Sequence, residues 1–262
     1  MKTRSNPAVE GLDLERMEEA SLNVLQTQRQ LFYDGWLLRL SPGVAKRGRS
    51  VNPHFGSSLP LADKLAYCEN VYARHSLPTL YRITPWSEPS GLEAALTARG
   101  YASFDETLVQ ATRLRRPPAL PDCADDVVIE APDTLGFVDA VGELRNSTPL
   151  QREAHRERLM NSPLEKRHAV VWAGRRVVCT AQVAVEGNLV GLFDVVTAES
   201  ARRRGYATLA CASLLSWAWQ HGAEVAYLQV TAANRPAIAS YRRFGFETVY
   251  TYHYFGREGE CQ

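Results

Sequence analysis

Apolar and polar residues change period along the second half of the chain, and the changes mark its elements. Residues 127–130 alternate as a strand does. Spacings of three and four then predict helices over 134–145 and 151–160. Apolar runs at 170–172, 177–185 and 189–196 follow, separated by turns at Gly174 and Gly187, which predicts an antiparallel meander. Residues 208–219 have the apolar spacing of a helix packed on a sheet, and 226–230 read as a short strand. Pro236 and Gly245 bracket a helix over 236–244, and 250–255 form a last strand. That order predicts an α/β fold.

Pro117, Pro118 and Pro121 interrupt any regular element. They divide the chain into residues 1–116, a linker at 117–123 and residues 124–262. The first part holds a faint copy of the end of the second: a helix over 61–74, a strand over 80–84, a helix over 92–99 closed by Gly100, and a strand over 107–112. Overlaying Gly100 and Tyr101 on Gly245 and Phe246 puts Leu96 where Tyr241 stands and Pro89 where Asn234 stands.

Chemistry gathers where the 189–196 strand gives way to the following helix, across Arg202, Arg203, Arg204, Gly205, Tyr206 and Ala207. The first N–H groups of a helix have no internal partner, and the aligned peptide dipoles favour negative charge there. Gly205 and Ala207 allow a phosphate close to the backbone, and three arginines add charge. The pattern Arg-x-x-Gly-x-Ala is common by chance. Its weight comes from a second segment one strand later, Asn234, Ala237, Tyr241, Gly245 and Phe246, in which Ala237 and Tyr241 share a helix face.

On these two segments the chain resembles the GNAT superfamily of N-acetyltransferases, in element order from about Val127 to Phe255 and most sharply over 192–246. The resemblance implies a GNAT fold, a mixed and mostly antiparallel sheet flanked by helices, here as two lobes in tandem with a degenerate first lobe. It implies acetyl-coenzyme A as co-substrate. The backbone from Arg203 to Thr208 would bind the diphosphate, with Arg202, Gly205 and Ala207 matching the family signature. Asn234 would contact the pantetheine arm, and Val195, Val196 and Thr197 would lie along the cofactor with the N–H near Val195 facing the thioester oxygen. Tyr241 would protonate the departing thiolate.

A thioester is already activated, so the enzyme must hold a neutral amine against it, stabilise the oxyanion and protonate the sulfur. The five cysteines show no close pairing or metal-like spacing, which argues for direct transfer and for no metal. Some relatives carry a glutamate on the strand before the loop where this chain has Gly191. Two groups could take the amine proton instead. Asp194 is the nearest acid, although strand alternation turns it away from Val195 unless a bulge resets the register; His253 on the last strand is the other. In the first lobe Trp36, Arg39, Arg47, Arg49, Tyr81 and Arg82 could wall an acceptor pocket.

Composition narrows the partners. With 262 residues and a net charge of +1 the chain makes no electrostatic case for nucleic acid or a membrane surface. No apolar stretch is long enough to span a bilayer, residues 1–7 lack a signal core, and unpaired cysteines fit a reducing compartment, so the expected location is the cytoplasm. A homodimer is compatible with all of this. The expected reaction is acetylation of a primary amine on a small molecule. A protein or peptide amine, and an acyl-CoA-binding module without turnover, are the competing readings.

Overall fold

The computed structural model describes residues 9–43, 45–122 and 126–259; residues 1–7, Cys123 at the linker's end and Cys261 therefore lie outside the described residues. A helix α1 (Leu14–Val24) opens it, followed by β1 (Gln30–Tyr33), β2 (Trp36–Arg39), β3 (Val51–Asn52), α2 (Leu61–Arg74), β4 (Tyr81–Ile83), α3 (Leu92–Ala98) and β5 (Ala102–Arg113). After the prolines come β6 (Val127–Glu130), α4 (Thr134–Leu144), α5 (Pro149–Asn161), β7 (Glu165–Ala173), β8 (Arg176–Glu186) and β9 (Leu189–Thr197). The chain closes with α6 (Tyr206–Gln220), β10 (Val225–Thr231), α7 (Arg235–Arg242) and β11 (Glu247–Gly256).

All eleven strands form one sheet, in the order β1-β2-β3-β4-β11-β5-β10-β9-β8-β7-β6. Only β3 with β4 and β9 with β10 are parallel, so the sheet is mixed and mostly antiparallel, as expected. Alternation along β10 assigns its two faces: Ala226, Leu228 and Val230 pack in the core under α6, while Val225 and Tyr227 join Met17, Ala20 and Val24 of α1 on the other side. Phe137, Val138 and Val141 of α4 pack with Leu159 of α5 on Val170 and Val177. Trp36, Leu65, Tyr72, Tyr81 and Leu96 form the core of the first half.

The repeat seen in the sequence is present in the backbone. Helix α3 ends with Gly100 N–H bonded to Thr97 O at 3.0 Å and Tyr101 N–H to Leu96 O at 3.1 Å. Helix α7 ends in the same way, with Gly245 N–H to Arg242 O at 3.0 Å and Phe246 N–H to Tyr241 O at 3.3 Å. Both are glycine-terminated C-caps, with φ of +82° and +81° at the glycines. Each strand-helix-strand unit sends its last strand across to the other: β5 pairs with β10, and β11 pairs with β4. The two exchanged strands then pair with each other over most of their length. The sheet is therefore continuous across the proline segment, and β5, which precedes the prolines, lies between β10 and β11, which follow them.

Candidate active site

Strands β9 and β10 run parallel and paired from Leu189 opposite Val225 to Leu192 opposite Leu228. Beyond that point the pairing ends, although β9 continues to Thr197 and β10 to Thr231. A cavity of about 440 Å³ opens there, walled by Phe193, Asp194 and Val195 from one strand and by Gln229, Val230 and Thr231 from the other. Backbone amides freed from a ladder must find other partners, so a strand pair that parts beside a cavity is suited to receive an extended chain carrying amides of its own.

Opposite this break, β9 bulges against β8. Thr180 pairs with Val196 and Gln182 with Phe193, so Asp194 and Val195 share the single position facing Ala181. Asp194 takes up the extra residue with φ +47°, a left-handed conformation that aspartate tolerates better than most. The bulge resets the register, and Asp194 and Val195 both line the cavity. There Asp194 accepts hydrogen bonds from Arg145 Nη2 at 2.9 Å, Gln182 Nε2 at 2.9 Å and His155 Nε2 at 3.1 Å. Burial by itself would raise the Asp194 carboxyl; the hydrogen bond from His155 and the guanidinium groups of Arg145 and Arg158 outweigh it and hold the carboxyl well below the usual carboxylate range. An ionised carboxylate only accepts, so His155 donates from Nε2 to Asp194, a bond that fixes the orientation of the imidazole ring.

His155 is the residue that sequence reasoning missed. It belongs to the narrow buried stripe of α5, with Ala154 and Leu159, in a helix that is otherwise largely polar. The available signal was its place on that stripe, one residue after a buried alanine and four before a buried leucine.

Tyr241 lines the cavity from α7, with its ring edge-on to Phe246 at 6.1 Å between centroids. Burial pushes its phenol above the ordinary tyrosine value, so it stays protonated near neutrality and can act as a donor. Asn234 also lines the cavity and caps α7, accepting the Ala237 N–H on Oδ1 at 3.3 Å. His253 does not reach the cavity. On β11 its Nε2 faces Glu93 at 3.6 Å, because pairing with Ile83 carries this stretch into the first half of the sheet.

Residues 202–208 stand outside the cavity, beyond the end of β9, as do Val196 and Thr197. Arg202, Arg203, Arg204 and Gly205 are exposed, and Tyr206, Ala207 and Thr208 half-buried. Helix α6 starts without a side-chain cap; a bond from Leu209 N–H to Gly205 O at 2.9 Å opens its ladder, so the N–H groups of Tyr206, Ala207 and Thr208 project beyond the helix end. A Cβ on Gly205 would meet nothing within 4 Å, so the glycine answers to its φ of +85° rather than to crowding.

Of the six residues of the first half considered for the acceptor wall, Arg47 alone lines the cavity. Trp36 and Tyr81 are core residues. Arg39 and Arg82 are buried away from it: Arg39 Nη2 donates to Leu22 O at 2.6 Å, and Arg82 is paired with Glu18. Arg49 is half-buried and also off the cavity wall. Cys68, Cys179 and Cys211 are buried thiols whose pKa values burial raises, which suits packing and not nucleophilic attack. Among the described residues no cluster of three or more His, Cys, Asp or Glu is placed to hold a metal, and no helix is long and apolar enough to cross a membrane.

A family model described as "Probable histone acetyltransferase Rv0428c C-terminal" matches residues 13–255. The uncharacterized N-acetyltransferase YobR of Bacillus subtilis strain 168 is 28% identical over 224 residues, covering 84% of this chain and 88% of its own. Among solved structures, a GCN5-related N-acetyltransferase from Kribbella flavida superposes with a TM-score of 0.69 at 19% identity, covering 94% of this chain and 95% of that one. A tandem GNAT protein from the clavulanic acid biosynthesis pathway gives a TM-score of 0.62 at 15% identity, over 79% of this chain and 74% of its own. The chain shares its fold with both structures, the second of which is described as a tandem GNAT protein.

Proposed function

The chain belongs to the family described as probable histone acetyltransferase Rv0428c C-terminal, an acetyltransferase family of the GNAT type, and from that premise we propose that it moves an acetyl group from acetyl-CoA to a primary amine on a small molecule. The observation that carries the reading is the parting of β9 and β10 over a cavity that holds Tyr241 on one wall and the His155–Asp194 pair on another. The pantetheine arm would lie in the gap between the strands, with its diphosphate against the N–H groups of Tyr206, Ala207 and Thr208 and the charges of Arg202, Arg203 and Arg204.

The reaction balances with the residues at hand. The amine nitrogen attacks the thioester carbon, and the oxyanion that forms is met by a backbone N–H near Val195. His155 takes the proton that the nitrogen loses, and Asp194 stabilises the imidazolium that results. The C–S bond then breaks and Tyr241 gives its proton to the sulfur, leaving an N-acetyl product and free coenzyme A. The proton held on His155 restores Tyr241 through solvent.

The family's description names histones, and a lysine-rich tail is the competing acceptor. Arg47, Arg145, Arg158 and Lys46 line the cavity against one acid, Asp194, and that charge repels such a tail. The same cations disfavour the ammonium form of an incoming amine, which helps it lose its proton. The test is a screen of small amines for release of the coenzyme A thiol, with Tyr241→Phe lowering turnover by about two to four orders of magnitude at little cost in acetyl-CoA affinity. Gly205→Val should abolish acetyl-CoA binding in calorimetry while the circular dichroism spectrum is kept. Normal binding by that variant would move the diphosphate elsewhere.

A further inference from the structure

Polar atoms left without partners on the cavity wall describe what the cavity receives. Asp194 is ionised, so Gln182 turns its Nε2 towards it, and the amide oxygen Oε1 is left buried and without a hydrogen bond in a side chain only 3% exposed. That is an acceptor awaiting an N–H. Arg47 presents the opposite need. Its Cζ lies 5.5 Å from the centre of the Phe193 ring, and its Nη1 is buried with no hydrogen-bond partner among the described residues. Gln229 accepts the Tyr252 hydroxyl on Oε1 at 3.0 Å, which leaves its Nε2 a second buried donor on the same wall.

Charges on that wall sort in the same sense. Lys46 is held by Asp105 at 2.7 Å and Arg145 by Asp194 at 2.9 Å. Arg158 donates Nη1 to Ala154 O at 3.0 Å and packs beside the loop that carries Arg47, its Cδ lying 3.6 Å from where a Cβ on Gly48 would stand. Two guanidinium groups thus face the cavity with no carboxylate within ion-pair distance among the described residues. Leaving them so is costly in a partly dry site, and a planar anion with two oxygens matches their fork.

On the footing that the chain acetylates a small amine, we propose that the acceptor also carries a carboxylate, as a free amino acid does, bound by Arg47 and Arg158 with Gln229 while its amine faces Gln182 Oε1 and Asp194. This arrangement sets the reacting nitrogen beside the His155–Asp194 pair and keeps the anion at the other end of the molecule.

The experiment uses pairs of acceptors that differ only in this group, each free amino acid against its own carboxamide, with acetyl-CoA and detection of the released thiol. At least one acid should exceed its amide in kcat/KM by ~10²-fold or more, the scale on which a site built for a buried ionic partner rejects an analogue lacking it. Arg47→Met, checked for an unchanged melting profile, should cut the acid's kcat/KM far more than the amide's and bring their ratio below about 10. Amides used as well as their acids by the unaltered protein would overturn the proposal whatever the variant does. Turnover confined to amines with no carboxylate would overturn it and leave the acetyltransferase reading standing, whereas no thiol release with any amine would bring down both.

Discussion

Gly191 stands where the GNAT resemblance leads to a glutamate in some relatives, and the structure gives the reason for its size. A Cβ there would lie 2.4 Å from the Phe193 ring and 2.7 Å from the Tyr227 ring. Gly191→Ala should therefore destabilise the protein by about 1–3 kcal/mol through overpacking, read by urea unfolding. It should also raise the acceptor KM, because the displaced Phe193 ring is the one beneath Arg47. At the proton-accepting end, His155→Ala should lower turnover by about two orders of magnitude or more at neutral pH. The loss should shrink as pH rises, since more of the amine is neutral and solvent hydroxide can take the proton that the attacking nitrogen sheds; a loss independent of pH would assign His155 a packing role instead. Tyr241 and Asp194 were legible as candidates because a motif and a nearby acid single them out. Asp194's orientation and His155's part were not, because both depend on one bulge in the pairing of β8 with β9, and a bulge leaves no periodic trace in either strand.

Helix α1 is fastened to the sheet by a buried ion pair. Glu18, 1% exposed, meets Arg82 of β4 and accepts the Tyr250 hydroxyl of β11 at 2.6 Å, and Arg82 lies 3.8 Å from the centre of the Tyr252 ring. Burial would raise the Glu18 carboxyl, but the Arg82 charge and hydrogen bonds prevail and lower it. A depressed carboxyl contributes its stability fully above its unfolded value and loses it as pH falls. Unfolding midpoints should therefore hold near neutrality and drop below about pH 4, with Asp194, also depressed, adding to the slope. Glu18→Gln should cost about 3–5 kcal/mol by stranding Arg82, measurable by urea titration. The helices expected from 61 onward match the structure closely because each is long enough to show a period, and the short strands β4 and β6, of three and four residues, were legible because they adjoin those helices. Upstream, β1, β2 and β3 have four, four and two residues, too few to show alternation, and α1 is marked only by the Asp13 cap and the spacing of Met17, Ala20 and Val24.

For the whole chain, the repeat was legible and the exchange of strands was not, because connections of the same length serve a strand that stays in its own half and one that crosses. The exchange decides how the two parts on either side of the prolines should behave when separated. Residues 124–262 alone would lack β5 from the middle of their sheet, leaving β10 and β11 with unpaired edges on either side of α7. That fragment should be insoluble or molten and should fail to bind acetyl-CoA in calorimetry, whereas residues 1–116 supplied in trans should restore some binding. In the intact chain one acetyl-CoA should bind, since α3 carries buried Leu96 in the place of Tyr241. Crossing strands also set an order of events during synthesis. The wall that bears Tyr241 rests on a sheet whose centre joins residues near 110 to residues near 250, so the ribosome has delivered almost every described residue before that sheet can close. Until then the early half waits with a strand missing from its middle, a nascent chain whose need for chaperones should end abruptly when residues 247–256 emerge.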